Sequence, residues 1–290
     1  MSETKLREDI CRFGRSLFER GLTPGSSGNI SVRLDDGGWL VTPTNASLGF
    51  LDPAKMSRLD GNGRLVSGDA PTKEVPLHTA LYQTRTSAGA VVHLHSTHSV
   101  ALSMLPEIDP RAVLPAMTAY YVMKCGQTAL VPYYRPGDPA VADAIRGLAG
   151  KYSSVLLANH GPVVSGDTLE AAVFATEELE ETAKLYLLLR GLNPRYLSPE
   201  QIKDLTKVFG LTLPEHEHQE TVIASWSGRP TDAEVEAAAL ILDRAGRHHH
   251  WWPESDEPYE EFAKTDPIAK SEFEGIVEQM LLAAAKAKPR

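Results

Sequence analysis

The segment Ala90–Ser99, AVVHLHSTHS, places three histidines within six residues, directly after an apolar Ala-Val-Val run. The run reads as a buried strand. In a strand, residues i and i+2 point to the same side, so His93 and His95 share a face and Leu94 takes the other. Two imidazoles on one face form a clamp for zinc or a similar divalent ion. Two core or surface histidines satisfy the same pattern. His98 falls on the opposite face if the strand continues. Ser96-Thr97 more naturally begins a turn, which leaves His98 to local hydrogen bonding or to lining a pocket.

Two further segments bear on the choice. LLANHGP puts His160 where an apolar strand meets a Gly-containing turn, a position from which a side chain faces a site. PTKEVPLH puts Glu74 in the first turns of a helix beginning near Thr72, where the helix dipole favours a carboxylate. Three imidazoles and one carboxylate would make a metal site with an exchangeable position. His78, four residues after Glu74, shares its helix face and reads as packing. His216, His218 and the tract His248–His250 beside Trp251 and Trp252 sit in polar or irregular stretches and read as incidental.

Working outward, residues Thr4 to Arg20 carry apolar positions at helical spacing and stop at Gly21. GNISVRLDDGGWLVT and RLDGNGRLVSGD read as hairpins, ALVPYY as a strand, and SSVLLANHGPVVSG as a strand pair around a turn. The stretch from Thr168 to Gly191 is one long helix. Strands, hairpins and helices in this mixture predict a layered α/β or α+β domain rather than a doubly wound sheet. Beyond about Asn193 the texture changes. LNPRYLSPEQIKDLTKVFG reads as one short helix after a Pro-bearing link. A second starts at a Thr231/Glu234 capping box and stops at Gly246, and a third starts at Pro267. We therefore divide the chain into a catalytic domain, 1–210, and a helical extension, 211–290.

The chain has 290 residues, with 29 Lys and Arg against 38 Asp and Glu, for a formal charge of −9. That balance is a poor match for nucleic acid or an anionic membrane, while a small phosphorylated substrate needs only a local pocket. Cys11 and Cys125 form no disulfide framework, the N-terminal segment reads as a charged helix and not as a signal peptide, and no apolar run approaches the ~20 residues of a membrane span. A cytoplasmic enzyme is the expectation.

GLTPGSSGNISVR, VTPTNASLG, TKE, VVHLHSTHS and LLANHGPVV occur in the order and spacing of the class II aldolases, a superfamily that includes fuculose-phosphate aldolase and ribulose-phosphate 4-epimerase. The resemblance covers roughly 5–210. Within the superfamily these motifs look most like those of the 3-oxo-tetronate 4-phosphate decarboxylases. The resemblance implies a three-layer α/β/α sandwich with a mixed, mostly antiparallel sheet. It also implies a homotetramer with active sites at subunit interfaces. It carries the zinc ligands onto His93, His95 and His160, with Mn2+ or Co2+ as possible substitutes. It makes Glu74 the catalytic acid/base and a fourth metal contact when substrate is absent. Its phosphate pocket falls on Gly28, Asn29, Thr44, Asn45, Thr72 and Lys73. The aldolases typically have two serines before the glutamate, where this chain has Thr72 and Lys73. A lysine there suits a substrate that adds a carboxylate to a phosphate. A tyrosine contributed across the subunit boundary falls on Tyr120 or Tyr121. The expected reaction is loss of CO2 from a 3-oxo-tetronate 4-phosphate through a metal-stabilised enediolate, giving dihydroxyacetone phosphate. An aldolase or 4-epimerase acting on a sugar phosphate is the alternative, and a non-catalytic adducin-like interaction module is the alternative of another class.

Overall fold

Hairpin signals and apolar runs in the first two hundred residues account for eight strands in the computed structural model, which describes residues 2–148, 150–192, 194–214, 230–248 and 257–286. They are β1 (Asn29–Arg33), β2 (Trp39–Val41), β3 (Ser57–Leu59), β4 (Leu65–Ser67), β5 (Ala90–His93), β6 (Thr128–Val131), β7 (Ser154–Leu157) and β8 (Gly161–Gly166). They form one sheet in the order β4-β3-β2-β1-β5-β8-β7-β6. Every neighbouring pair is antiparallel except β6–β7, which is parallel. The sheet is thus mixed and mostly antiparallel, as the motifs imply.

Seven helices accompany it: α1 (Glu3–Glu19), α2 (Val75–Thr84), α3 (Thr97–Ser103), α4 (Ala119–Lys124), α5 (Ala140–Gly147), α6 (Leu169–Leu189) and α7 (Pro199–Phe209). Strand alternation sorts the core into layers. Val91 and Val163 face one way and pack with Leu77, Ala80 and Leu81 of α2 and Ile145 of α5. Ala90 and Val92 face the other way, against Ile10 and Leu17 of α1 and Ala172 and Val173 of α6. On that same side Val164 and Leu156 meet Leu102 of α3, Tyr121 of α4 and Leu179 of α6. The result is a three-layer α/β/α sandwich.

Several local expectations need adjustment. The β5 strand ends at His93, and a helix, α3, follows where a turn was expected, because Ser96 is already extended at its N-cap position. Glu74 is the residue before α2 and not within it, with φ −95° and ψ 14°. Helices α3, α4 and α5 are too short to show a clear apolar period. The two compact units are 1–215 and 216–290. Leu213 packs against Gly126, so the first unit continues past the end of α7.

The second unit contains α8 (Asp232–His248), α9 (Tyr259–Thr265) and α10 (Pro267–Lys286) around Val235, Ala239, Tyr259 and Val277. The Thr231–Glu234 capping box forms, with Glu234 Oε2 accepting from Thr231 N at 2.8 Å. Gly246 does not end α8, which runs on to His248. An interior glycine costs a helix only about 1 kcal/mol, which neighbouring residues offset. His216, His218, His249, His250, Trp251 and Trp252 lie outside the described residues.

Gly161 shows how tightly the sheet closes around β5. At φ +157° its missing side chain lets the backbone approach Leu94, whose carbonyl oxygen would lie 2.1 Å from an added Cβ. Gly161→Ala is expected to destabilise the protein by about 2 kcal/mol or more, since the obstacle is backbone and cannot move aside. Thermal unfolding compared with the parent checks this.

Candidate metal centre

The site assembles where three backbone segments meet at the end of β5. Antiparallel pairing sets Asn29 of β1 opposite His93 on one side and Val163 of β8 opposite it on the other. His93 lies on the Val91 face, toward α2. His95 follows two residues later, beyond the strand. His160 closes the β7–β8 turn, after Asn159 in the left-handed region at φ 56°. The three rings are mutually edge-on, with centroids 4.7 to 5.1 Å apart. One nitrogen from each lies within 4.8 Å of the others. Of the two readings of the HxH motif, the structure supports the clamp.

Glu74 faces this cluster from the start of α2. Its Oε2 lies 3.3 Å from His93 Nε2 and its Oε1 3.5 Å from His160 Nε2. Burial pushes the carboxyl pKa up. The charges of neighbouring His93, the Asn29 amide, then His160 and His78 outweigh that and hold it at about 2. Burial above all, and then His93 and His160, lowers His95 to about 4. Burial followed by His93 lowers His160 to about 4 as well. Both rings are therefore neutral near pH 7, the form in which imidazole binds a metal.

His93 gives a direct test of whether the site fits a cation. Its Nδ1 lies 2.9 Å from the Pro162 carbonyl oxygen, which can only accept, so Nδ1 carries the ring proton. In the neutral ring, the form that binds a metal, Nε2 is then the acceptor; it is buried and has no hydrogen-bond partner. It faces a carboxylate, another acceptor. Lone pair against lone pair calls for a positive charge between them. The residues present thus fit a divalent metal, with His93, His95 and His160 as the donors and Glu74 beside them.

The other expected site residues gather on one rim. Thr72 N donates to Thr42 O at 3.2 Å and Thr44 N to Ala70 O at 2.9 Å, which ties 42–45 to 70–73. Thr42 Oγ1 accepts from Ile30 N at 3.2 Å and links that pair to Gly28-Asn29. Gly28 has φ +80° and lies against the His93 carbonyl oxygen, where a Cβ would come within 2.9 Å. Asn45 is left-handed at φ 58° and exposed. Both ends of the Asn29 side chain are engaged: Nδ2 donates to Glu74 Oε2 at 2.7 Å, and Oδ1 meets His78 Nε2 at 2.5 Å.

Lys73 is exposed beside the 132–138 loop. It lines a shallow cleft with Glu74, Arg135, Gly137, Asp138 and His160. A second, open cleft lies beside His95 and is lined by Thr97, Tyr133 and Asn159. The loop residues Tyr133 and Arg135 carry no sequence signal, since nothing in PYYRPGD reveals that it folds over a site 60 residues away in the numbering. His98 is not among the donors. Glu180 accepts from its Nδ1 at 2.8 Å and from its backbone N at 2.9 Å, and also takes Ser99 N and Oγ. The carboxylate thereby satisfies free N–H groups at the start of α3. Tyr121 is 1% exposed and donates to Thr128 Oγ1 at 3.1 Å, so it belongs to the core. Tyr120 is 63% exposed.

Removing His93, His95 or His160 as alanine should abolish stoichiometric binding of divalent metal, scored by elemental analysis. Because His95 and His160 titrate near 4 in the fold instead of near 6.5, protons should compete for them only as pH falls toward about 5. Calorimetric titration with Zn2+ should accordingly show a nearly constant affinity from about pH 7.5 to 5.5 and a loss below about 5. A loss beginning at about 6.5 would mean that the rings are solvated like free histidine.

A curated 3-oxo-tetronate 4-phosphate decarboxylase from Cupriavidus necator is 54% identical over 189 residues, which are 65% of this chain and 87% of that protein. An L-fuculose phosphate aldolase from Haemophilus influenzae is 32% identical over 208 residues, 70% of this chain and 93% of that one. The crystal structure of YgbL from Escherichia coli superposes with a TM-score of 0.69 at 47% identity, covering 70% of this chain and 98% of that one. Residues 8–187 match the family described as Class II Aldolase and Adducin N-terminal domain, and the chain belongs to that family.

Proposed function

We propose that this chain is a metal-dependent carboxy-lyase that removes CO2 from a 3-oxo-tetronate 4-phosphate and releases dihydroxyacetone phosphate. The observation that carries the choice is the 54% identity to a decarboxylase of that name, against 32% to an aldolase. The geometry serves both chemistries, since retro-aldol cleavage and decarboxylation leave the same enediolate after different groups depart. The intact donor set of His93, His95, His160 and Glu74 weighs against a non-catalytic, adducin-like role.

A divalent cation, zinc in this reading and Mn2+ or Co2+ as substitutes, supplies Lewis-acid stabilisation of the charge that develops on the substrate's oxygens. The chain's own residues do the rest. The rim of Gly28, Thr44, Asn45 and Thr72 holds the phosphate, and Lys73 the carboxylate end, so that binding away from the breaking bond orients it. Glu74 rests ionised. It therefore first accepts a proton, from water or from the substrate's C2 hydroxyl, and then delivers one to C2 as CO2 leaves. One proton is consumed for each CO2 released. The enzyme is a homotetramer in this reading, with Tyr120 and not Tyr121 as the residue offered across a subunit boundary. No helix among the described residues is long and apolar enough to cross a membrane, which suits the cytoplasmic setting we assign. Residues 216–290 form a second, helical unit whose role is separate from this chemistry.

Incubation with 3-oxo-tetronate 4-phosphates should release CO2 and dihydroxyacetone phosphate in equal amounts. Cleavage of L-fuculose 1-phosphate, or inversion of ribulose 5-phosphate, without CO2 from the oxo acids would replace this reading with the aldolase or epimerase one. Lys73→Ala should raise KM by about tenfold or more with a smaller change in kcat, the size of one charged contact to the substrate.

A further inference from the structure

Behind Glu74 a string of polar side chains runs through an otherwise apolar layer. Tyr82, Ser31, His78 and Asn29 are each at most 6% exposed. Trp39, Leu77 and Leu81 pack around them. Polar groups in such a place are costly unless every one is partnered. Here each is. Tyr82 Oη lies 2.8 Å from Ser31 Oγ, and Ser31 Oγ lies 2.7 Å from His78 Nδ1. His78 Nε2 meets Asn29 Oδ1, and Asn29 Nδ2 meets Glu74 Oε2 at 2.7 Å.

The directions of these bonds follow from the carboxylate end. An ionised carboxylate only accepts, so Asn29 turns its NH2 group to Glu74. Its oxygen then faces His78, whose Nε2 must carry the proton and donate. Burial keeps His78 neutral, lowering its pKa to about 3. Its Nδ1 is therefore an acceptor, which takes the Ser31 hydroxyl hydrogen, and Ser31 Oγ takes that of Tyr82. Every link points toward Glu74. Trp39 stacks over the His78 ring at 6.4 Å between centroids and 21° between planes, which fixes the ring's plane.

The amide is the one link with two nearly isosteric orientations. Turned over, Asn29 would set its oxygen against the Glu74 carboxylate and its NH2 against the His78 N–H. We propose that His78, backed by Ser31 and Tyr82, is a positioning residue: it locks the Asn29 amide in the orientation that holds the Glu74 carboxylate across from the three imidazoles. The consequence for turnover rests on the role given to Glu74 under Proposed function. The orientation itself does not depend on any substrate.

Two substitutions separate this role from simple packing. His78→Phe keeps a ring beneath Trp39 and removes both nitrogens, whereas His78→Gln keeps an N–H donor. In crystals of zinc-loaded His78→Phe, the Asn29–Glu74 contact should be lost or reversed while metal stoichiometry is retained. With the oxo-acid phosphate, kcat should fall about tenfold or more and KM stay within about twofold, as expected for one hydrogen bond to a charged group. His78→Gln should recover most of the rate. His78→Phe combined with Asn29→Ala should be no slower than Asn29→Ala alone, because His78 acts through Asn29. Additive losses in that pair overturn the proposal, and so does a His78→Phe structure with Asn29 Nδ2 still on Glu74. If His78→Phe does not fold, Ser31→Ala removes the donor that fixes the His78 tautomer, and an unchanged Asn29–Glu74 contact and rate in that variant overturn it equally. A parent protein that fails to decarboxylate the oxo acids sinks the functional reading, and the zinc-loaded structures alone then decide on positioning.

Discussion

A buried carboxylate held against unprotonated imidazole nitrogens is the constraint around which the rest of this structure is arranged. With the His93 ring neutral and its proton turned to Pro162, Glu74 and His93 approach to 3.3 Å with no proton between them. Such a contact persists only if neighbouring groups compensate it. Asn29 does so from one side with a hydrogen bond to the carboxylate. A bound cation would do so from the other. The arrangement is prepared for a positive charge before any arrives, and its electrostatic cost is met by burial of the surrounding core.

The sheet order explains how so few residues suffice. Because β5 lies between β1 and β8, its C-terminal end is supported on both sides by antiparallel ladders. One side delivers Asn29 and the other brings the β7–β8 turn with His160. The α2 helix covers the same face, with Glu74 at its N-cap and His78 one turn later. Three of these groups come from backbone that the sheet holds rigidly, and Glu74 from a helix start fixed by apolar packing. This is the kind of support that a site requiring sub-ångström placement needs. It also places His95 and the 132–138 loop at the edge, where a substrate can enter.

The fold was largely legible because its signals are local. The apolar runs at 90–93 and 161–166 and the Gly-containing turns mark the strands. The His93/His95 pairing survives the end of β5 at His93 because Leu94 N still donates to Pro162 O beyond it, and the His95 ring meets those of His93 and His160. What the sequence hid is what depends on tertiary contact. Helices α3 to α5 are one or two turns long and form against the sheet. The roles of Glu180 and Arg135 arise between segments distant in the chain. Tyr120 and Tyr121 are indistinguishable as letters, and only the helix phase of α4 decides that one is buried against Thr128 and the other exposed. His78 was visible at four residues from Glu74, but as a packing residue. Its meaning needed Ser31 and Asn29 from another strand.

That last case bears on how a single scaffold hosts more than one reaction. The metal donors and Glu74 are set by the sheet, and any reaction that places negative charge on oxygens next to a carbonyl can use them. Choice among leaving groups must come from outside that set. On one flank stand Lys73 and Arg135, in a cleft that Glu74 and Asp138 also line and in which Asp138 lies 3.5 Å from Arg135. On the other stands the Tyr82–Ser31–His78–Asn29 string, which touches no substrate and sets only where the Glu74 carboxylate points. A departing CO2 carries away no proton, so the carbon it leaves has to be supplied with one. A departing aldehyde leaves a carbon with the same need and requires in addition that a proton be taken from its own hydroxyl. Both reactions therefore draw on the same carboxylate, and what separates them is the group held on the far side of the breaking bond.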